Sequence, residues 1–145
     1  MRTQKTIEVY VGIVRDGDKY LMVQRREPEL PEADGRWEWP GGKVDSGEDP
    51  CQAVEREIQE ETGYQTQVQR VLPATFISDW TYADFDQRTI IQAVEAALVD
   101  ESQVETHDHH VAEIAWLSIE EIQLLPLLPG VMFFLEHLNE FARQR

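Results

Sequence analysis

The chain has 145 residues, of which 41% are hydrophobic and 28% charged, the balance of a globular protein long enough to bury a core. Its 28 acidic and 13 basic residues give a net charge of −15, which argues against duplex nucleic acid or an anionic membrane as partner. Clustered carboxylates can, however, gather divalent cations that attract phosphates. The single cysteine, Cys51, excludes an internal disulfide. No apolar run reaches the roughly 20 residues of a membrane helix and no signal-peptide core follows the N-terminus, so we expect a cytoplasmic protein.

The first segment of the chain predicts a β-hairpin. Apolar residues alternate over 7–13, the period of a half-buried strand, and a polar turn precedes a second strand at 20–24. A loop over 27–36 then leads to Gly41 and Gly42, whose backbone can adopt turns closed to other residues. We expect another group to approach the main chain there.

A helix with clear end signals is predicted at 50–62. Asp49 is the expected N-cap, Pro50 occupies the first helical position, and Gln52 completes a capping-box-like pair. Gly63 follows directly after the last turn, where a left-handed residue ends many helices.

The second half of the chain alternates predicted strands with polar loops. Strands are expected at 66–72, 75–80, 89–99 and 113–117. The longer loop, over 100–110, precedes the last of them. Ser118 and Glu121 form a capping box for a short helix, and a further helix is expected at 131–142. The order of elements predicts one α+β domain over 1–145, with a mixed sheet sandwiched between helices.

Acidic residues crowd one face of the first predicted helix. Glu57, Glu60 and Glu61 stand at i, i+3 and i+4, so their carboxylates lie within about 5–6 Å of one another and repel. Arg56 can pair with Glu60 one turn on, and Glu48 can reach the same guanidinium. Such oxygen ligands suit Mg²⁺ or Mn²⁺. Taken alone, such a pattern more often marks only a solvated helix face.

A longer spacing decides between these readings. Gly42, Glu48 and the run Arg56-Glu57-Ile58-Gln59-Glu60-Glu61-Thr62-Gly63 resemble the Nudix box, in which Gly, Glu, Arg-Glu, Glu-Glu and Gly recur at these intervals. Chance agreement at the seven fixed positions is on the order of 10⁻⁸. Tyr64 stands where the family has an aliphatic residue, which changes packing only. The run 37–43 is similar to the MutT-like branch, so the Nudix fold is implied for most of the chain.

The resemblance assigns chemistry to these positions. The metal ligands that it implies are the side chains of Glu57, Glu60 and Glu61 and the carbonyl of Gly42 or Gly41. Arg56 and Glu48 become residues that orient the carboxylates. The implied reaction is attack of water on a phosphorus of a nucleoside diphosphate derivative, assisted by Mg²⁺ or Mn²⁺. A nucleotide is therefore the expected partner, and a homodimer is plausible for the family.

The general base is expected either in the loop before the last strand or in the box itself. Asp108 and Glu113 are the first candidates in the loop, with His110 next, and Glu60 or Glu61 is the choice within the box. The residues His107-Asp108-His109-His110 also resemble a zinc site, although neighbouring loop histidines are more often unligated.

Two further groups are candidate substrate contacts. Arg25 and Arg26 can donate bidentate hydrogen bonds to phosphates, or serve only as surface charges. Trp80, Tyr82 and Phe85 offer aromatic faces on which a nucleobase can stack. Trp37, Trp39 and Trp116 are expected to be packing residues, although one beside the glycine turn can line a pocket.

The box does not specify the substrate. The MutT-like approach to the box implies a nucleoside triphosphate, or an oxidised deoxynucleoside triphosphate, cleaved to a monophosphate and pyrophosphate. The segment 127–130 lacks the side-chain amide with which such enzymes read oxidised guanine, which weakens the case for an oxidised substrate. Asp79 stands near the place where the ADP-ribose subgroup has a proline, which disfavours ADP-ribose. Tyr82 lies close to the position of a tyrosine in the dinucleoside polyphosphate subgroup, which makes that substrate the first alternative, with ADP-ribose or a nucleotide sugar as the other. A non-catalytic binding module is a third reading, disfavoured because every acidic position of the box is kept.

Overall fold

The computed structural model describes residues 2–143, with side chains described for residues 2–138. The strands are β1 (Thr3–Asp16), β2 (Lys19–Arg25), β3 (Trp37–Glu38), β4 (Gly41–Lys43), β5 (Tyr64–Thr81), β6 (Phe85–Gln103) and β7 (Val111–Ser118). The helices are α1 (Pro50–Thr62), α2 (Ile119–Gln123) and α3 (Val131–Arg143). In this part of the chain, no helix is both long and apolar enough to cross a bilayer.

The strands form a mixed sheet with the order β3, β2, β1, β6, β5, in which β4 also pairs with β1 and β7 with β2. β1 and β6 run parallel, from Thr3 beside Phe85 to Val14 beside Ala96. β1 and β2 form the predicted hairpin, but they pair only beside their turn, at 15–16 and 19–20. Beyond the turn, β1 pairs with β4, whereas β2 pairs with β3 and β7. The two halves of the sheet therefore separate, and a cleft opens between them.

Helices cover both faces of the sheet. On one face, Val54 and Ile58 of α1 pack with Val94 of β6 in one apolar cluster. On the other face, Phe134 and Leu135 of α3 belong to a second cluster with strand residues of β1 and β6. This arrangement confirms the predicted fold class, a mixed sheet sandwiched between helices.

The helix α1 has the predicted bounds and ends. The Asp49 carboxylate accepts a hydrogen bond from the N–H of Cys51 at 3.1 Å, and Gly63 ends the helix with a φ of 81°. The expected capping pair with Gln52 is wrong, because the capping bond comes from Cys51 instead.

The strands predicted at 66–72 and 75–80 are one strand, β5, at the edge of the sheet. Its register against β6 shifts between Val71 and Thr75, around Pro73, which has no N–H to donate. Its Val68 N–H bonds to the carboxylate of Glu55 on α1 at 2.8 Å. The predicted break at 73–74 is therefore an irregularity within one continuous strand.

The remaining elements match their predictions more closely. β6 is longer than the predicted 89–99, so Phe85 lies in the strand and not in a loop. α2 has the predicted capping box of Ser118 and Glu121, and α3 begins at Val131 as expected. Phe141, part of the periodicity behind the α3 prediction, lies outside the described side chains.

Among the glycines, Gly63 at the end of α1 has the least room for a side chain. A Cβ at Gly63 would lie 1.9 Å from the carbonyl oxygen of Val104, whereas a Cβ at Gly47, which has nearly the same φ of 80°, meets nothing within 4 Å. We expect Gly47→Ala to cost only the strain of a left-handed alanine, about 1–2 kcal/mol. Gly63→Ala should cost about 1–3 kcal/mol more. Urea unfolding of both variants measures the difference, and equal losses would contradict the crowding at Val104.

Candidate active site

A cleft of about 430 Å³ opens where the two halves of the sheet separate. Its floor consists of side chains from β1, β6 and β5, and the segment 128–131, which leads into α3, forms part of its wall. One end holds Gly41 and Gly42 together with the carboxylates of Glu57 and Glu61. The cleft therefore joins an acidic end to a largely apolar chamber.

The glycine segment allows the closest approach in the cleft. A Cβ at Gly41, whose φ is 157°, would lie 2.2 Å from the carbonyl oxygen of Tyr10 on the paired strand β1. A Cβ at Gly42 would lie 2.7 Å from the Cδ atom of Glu57. Only glycine fits at position 41, where a Cβ would meet backbone atoms, whereas at position 42 the end of the Glu57 side chain would have to move. The backbone of β1 and the Glu57 side chain are thus the groups that approach this segment.

Glu61 is held against this backbone. The N–H of Gly41 donates a hydrogen bond of 2.7 Å to the Glu61 carboxylate. Burial among protein atoms raises the pKa of Glu61 well above its ordinary value, and the charges of Glu38, Glu57 and Asp108 raise it further, while the bond from Gly41 opposes them. The carboxylate therefore lies in a site whose protein charges are predominantly negative.

Glu57 shares this environment. Burial raises its pKa more than the neighbouring Arg56 lowers it, and the charges of Glu60 and Asp108 act in the same direction as burial. Together, Glu57 and Glu61 bring negative charge into the cleft that the protein does not fully neutralise.

Arg56 organises the other acidic residues of the box. Its guanidinium donates to both carboxylate oxygens of Glu48, at 2.9 and 3.1 Å, and to Glu60 at 3.2 Å. A further bond reaches Glu57 at 3.1 Å. The bonds from Arg56 hold the pKa of Glu48 below its usual range. The pairings of Arg56 with Glu48 and Glu60 are those expected from the sequence.

A second arginine network, around Arg25, lies within the cleft itself. Arg25 donates to both oxygens of Glu38, at 2.7 and 2.9 Å, and to Glu27 at 3.0 Å. The hydroxyl of Tyr82 donates to the same Glu27 carboxylate at 3.1 Å. Burial and the charge of Glu27 raise the pKa of Tyr82 to about 12. Sequence reasoning missed Glu27 and Glu38, whose only sequence signal was their place beside Arg25 and the glycine turn.

The candidate substrate contacts separate into two groups. Trp80, Tyr82, Arg25 and Arg26 line the cleft, whereas Phe85 does not. The Phe85 ring instead stacks on Tyr82, with ring centroids 4.6 Å apart. The Nζ atom of Lys5 lies over the same ring, 4.0 Å from its centroid, in a cation–π contact. The structure thus corrects the prediction for Phe85, which supports Tyr82 from outside the cleft.

A family model described as NUDIX domain matches residues 5–135. The chain belongs to the Nudix family. The CTP pyrophosphohydrolase of Escherichia coli is 30% identical over 141 residues, which cover 91% of this chain and 90% of that protein. The 8-oxo-dGTP diphosphatase of Escherichia coli is 42% identical over 59 residues, which cover 41% of this chain and 45% of that protein, so this likeness spans less than half of either.

Solved structures agree with this family. A Nudix hydrolase from Nitrosomonas europaea superimposes with a TM-score of 0.74 at 26% identity, covering 94% of this chain and 90% of that one. The Escherichia coli ORF135 protein gives a TM-score of 0.70 at 28% identity, covering 98% and 94%. Residues 5–135 therefore form a Nudix hydrolase domain, a class that acts on pyrophosphate bonds.

The three glutamates that the Nudix box contributes from α1 do not all face the same cavity. Glu57 and Glu61 line the cleft, whereas Glu60 lines a neighbouring groove with Arg56 and has 53% of its side chain exposed. Among the described residues, no three His, Cys, Asp or Glu side chains are grouped closely enough to hold a metal ion as they stand. The oxygen donors at hand are Glu57 and Glu61 beside the glycine backbone, and their unneutralised charge fits Mg²⁺ or Mn²⁺.

The base candidates also occupy different places. Asp108 and His110 line the cleft, and the N–H of His110 donates to the Asp108 carboxylate at 2.8 Å. Glu113 lies exposed on β7 and does not line the cleft. The rings of His109 and His110 lie against each other, with centroids 4.0 Å apart.

The departure from the box at position 64 is a packing change, as expected. The Tyr64 hydroxyl accepts a bond from Trp116 Nε1 at 3.1 Å, and the two rings meet edge to face with centroids 5.5 Å apart. Trp37 and Trp39 are buried, and Trp39 also lines the cleft beside the glycine segment.

The raised pKa of Glu61 has a consequence for stability that can be measured. Because the folded protein binds this proton more tightly than the unfolded chain, the metal-free protein should lose stability as the pH rises from the ordinary glutamate pKa through the raised one. Glu61→Gln removes this loss and keeps an acceptor for Gly41. With a chelator present at pH 8, we expect Glu61→Gln to melt at a higher temperature than the wild type, by about 2–4 °C for each kcal/mol gained in the free energy of unfolding. The gain should shrink toward pH 4.

The exposed Glu105 provides a matched control for this measurement, and Glu105→Gln should follow the wild type at every pH. A constant difference between Glu61→Gln and the wild type across the pH range would contradict the burial of charge at this position.

Proposed function

We propose that the chain is a Mg²⁺- or Mn²⁺-dependent pyrophosphohydrolase that cleaves nucleoside or deoxynucleoside triphosphates to a monophosphate and pyrophosphate. The observation that carries this proposal is the continuity of one cleft, with Glu57 and Glu61 at one end and an aromatic chamber at the other. The full-length similarity to a protein named as a CTP pyrophosphohydrolase supports it.

The two ends suit the two ends of a nucleotide. Trp80, Tyr82 and Leu128 line the chamber, where flat aromatic and apolar surfaces can hold a base and exclude water. Arg26 and Lys43, which directly follows the glycine pair, also line the cleft, and neither side chain has a protein partner among the described residues. These two cations are therefore free to meet phosphate oxygens, whereas Arg25 is already bonded to two carboxylates.

A divalent cation would be held by Glu57 and Glu61 with a carbonyl of the glycine segment. When bound, it supplies neutralisation of the phosphate charge and a lowered pKa for the attacking water. The protein contributes the positions: Arg56 fixes the acidic face of α1, and Gly41 fixes Glu61. Asp108 is the proposed general base, because it lines the same cleft as these carboxylates and is held by His110.

A second candidate substrate is a dinucleoside polyphosphate. Tyr82 favours it, because its ring lines the cleft and its hydroxyl is fixed by Glu27, which presents a rigid face for a second base. A non-catalytic nucleotide-binding module is the third reading.

The first experiment is a substrate panel with and without Mg²⁺. It contains nucleoside and deoxynucleoside triphosphates, oxidised deoxynucleoside triphosphates, dinucleoside polyphosphates, ADP-ribose and nucleotide sugars. We expect turnover of triphosphates that requires the metal, with kcat lowered about 100-fold or more in Glu57→Gln and Glu61→Gln. The exposed Glu120 on α2 provides the control, and Glu120→Gln should retain wild-type activity. Preferred turnover of dinucleoside polyphosphates would favour the second candidate, and nucleotide binding without turnover of any substrate would favour the module.

The base assignment has its own test. Asp108→Asn should lower kcat by about 100-fold or more, with KM little changed, because general-base catalysis contributes to the chemical step. Glu113→Gln should retain near wild-type kcat, since Glu113 lies outside the cleft. The reverse result, a silent Asp108→Asn and an inactive Glu113→Gln, would move the base to β7.

A further inference from the structure

The floor of the cleft carries polar side chains on an otherwise apolar surface. The apolar floor residues from β1, β5 and β6 are Ile7, Val9, Val11, Trp80 and Ile91. The remaining strand residues that line the floor are Ser78, Gln87 and Thr89, which we call the floor patch. Polar groups placed in an apolar chamber cost free energy unless they find hydrogen-bond partners.

The patch is one contiguous unit built by strand register. Ser78 on β5 lies directly opposite Thr89 on β6, and Trp80 lies opposite Gln87 in the next pair on the same face. The Gln87 Nε2 atom donates to the Thr89 hydroxyl at 3.2 Å, which holds the amide in place. Neighbouring positions on these strands point to the opposite face.

The hydrogen-bonding capacity of the patch is only partly used. Ser78 and Thr89 are each 7% exposed. The Ser78 hydroxyl has no partner among the described residues, and the Gln87 amide keeps its carbonyl oxygen and one N–H. None of the patch's free polar atoms is among the fully buried atoms that lack a partner, so these atoms open onto the cleft. The free donors and acceptors are thus available to a ligand in the chamber.

The patch lies at a suitable distance from the acidic end. Gly41, whose N–H bonds to Glu61, pairs with Val11, and Val11 pairs with Ala93 on β6. Ala93 therefore lies at about the same height along the sheet as Glu61. Thr89 is four residues away, about 13 Å at the rise of a strand. The phosphate, sugar and base of one nucleotide span a comparable length.

We infer that Ser78, Gln87 and Thr89 hydrogen-bond the edge of the substrate's nucleobase and so determine base preference. The inference rests on the proposed function for its substrate class. Tyr82 and Trp80 supply faces for stacking, while the patch supplies the directional bonds that stacking lacks. The segment 127–130 contributes only apolar side chains, proline and glycine, so the polar groups on the strands of the chamber floor are those of the patch.

The test uses the variants Ser78→Ala, Gln87→Met and Thr89→Val, each of which removes hydrogen bonds with little change in volume. For the preferred triphosphate, we expect KM to rise about 3- to 10-fold with kcat within about twofold. The ratio of kcat/KM between the preferred triphosphate and the next should fall toward unity.

Thr75 and Gln92 provide matched controls. They lie directly opposite each other on the same two strands, but on the other face of the sheet. Thr75→Val and Gln92→Met should leave KM and base preference unchanged. Unchanged base preference in Gln87→Met and Thr89→Val, or an equal change in the two controls, would overturn the inference while leaving the proposed function standing.

A binding measurement separates the two proposals and does not depend on turnover. Calorimetric titration with nucleoside monophosphates should give a Kd that rises about 3- to 10-fold in Gln87→Met relative to Gln92→Met. If the wild type hydrolyses none of the triphosphates, the proposed function fails, yet this difference in Kd would still support the patch. Equal Kd values in the two variants would overturn the patch whatever the activity.

Discussion

Close approach of α1 to the central strand and to the glycine segment fixes the rest of the site. A Cβ at Gly12 would lie 2.4 Å from the Cδ1 atom of Ile58, so the helix packs directly on the backbone of β1. One turn along the same helix, Glu61 receives the N–H of Gly41. Because an α-helix is rigid over such a short span, seating Ile58 in the core also sets the direction of the acidic face. The packing of α1 on β1 therefore also positions the acidic end of the cleft.

The excess of acidic residues is organised by two arginines. Arg56 takes up the charge of Glu48 and Glu60, and Arg25 takes up that of Glu38 and Glu27. Glu61 and Asp108, which also line this cleft, bond to neither arginine. Negative charge is thus compensated at the sides of the cleft and left uncompensated where a cation would act. A uniform acidic surface would provide solubility without such a focus.

The features that were predicted correctly depend on residues close together in the chain, and those that were not predicted depend on contacts between distant residues. The bounds of α1, the cap at Asp49 and the role of Gly63 followed from signals within one helix. The pairing of Arg25 with Glu38 depends on β2 and β3 meeting across a loop, and no spacing along the chain encodes that register. Phe85 was misplaced for a related reason, since an aromatic residue beside a loop gives no sign of which side of the sheet it will occupy. Two strands were predicted where β5 is continuous, because an edge strand can accommodate Pro73 and the edge position is not visible in the sequence.

The edge of the sheet at β5 bears on how this chain behaves toward its own copies. A long edge strand with free N–H and C=O groups is a template on which another strand can add. Here the Val68 N–H is already bonded to Glu55, and Pro73 has no N–H to offer within a stretch of shifted register. The open edge is thereby divided into short segments. The same irregularities that complicated the reading of this strand from sequence protect the protein against edge-to-edge aggregation.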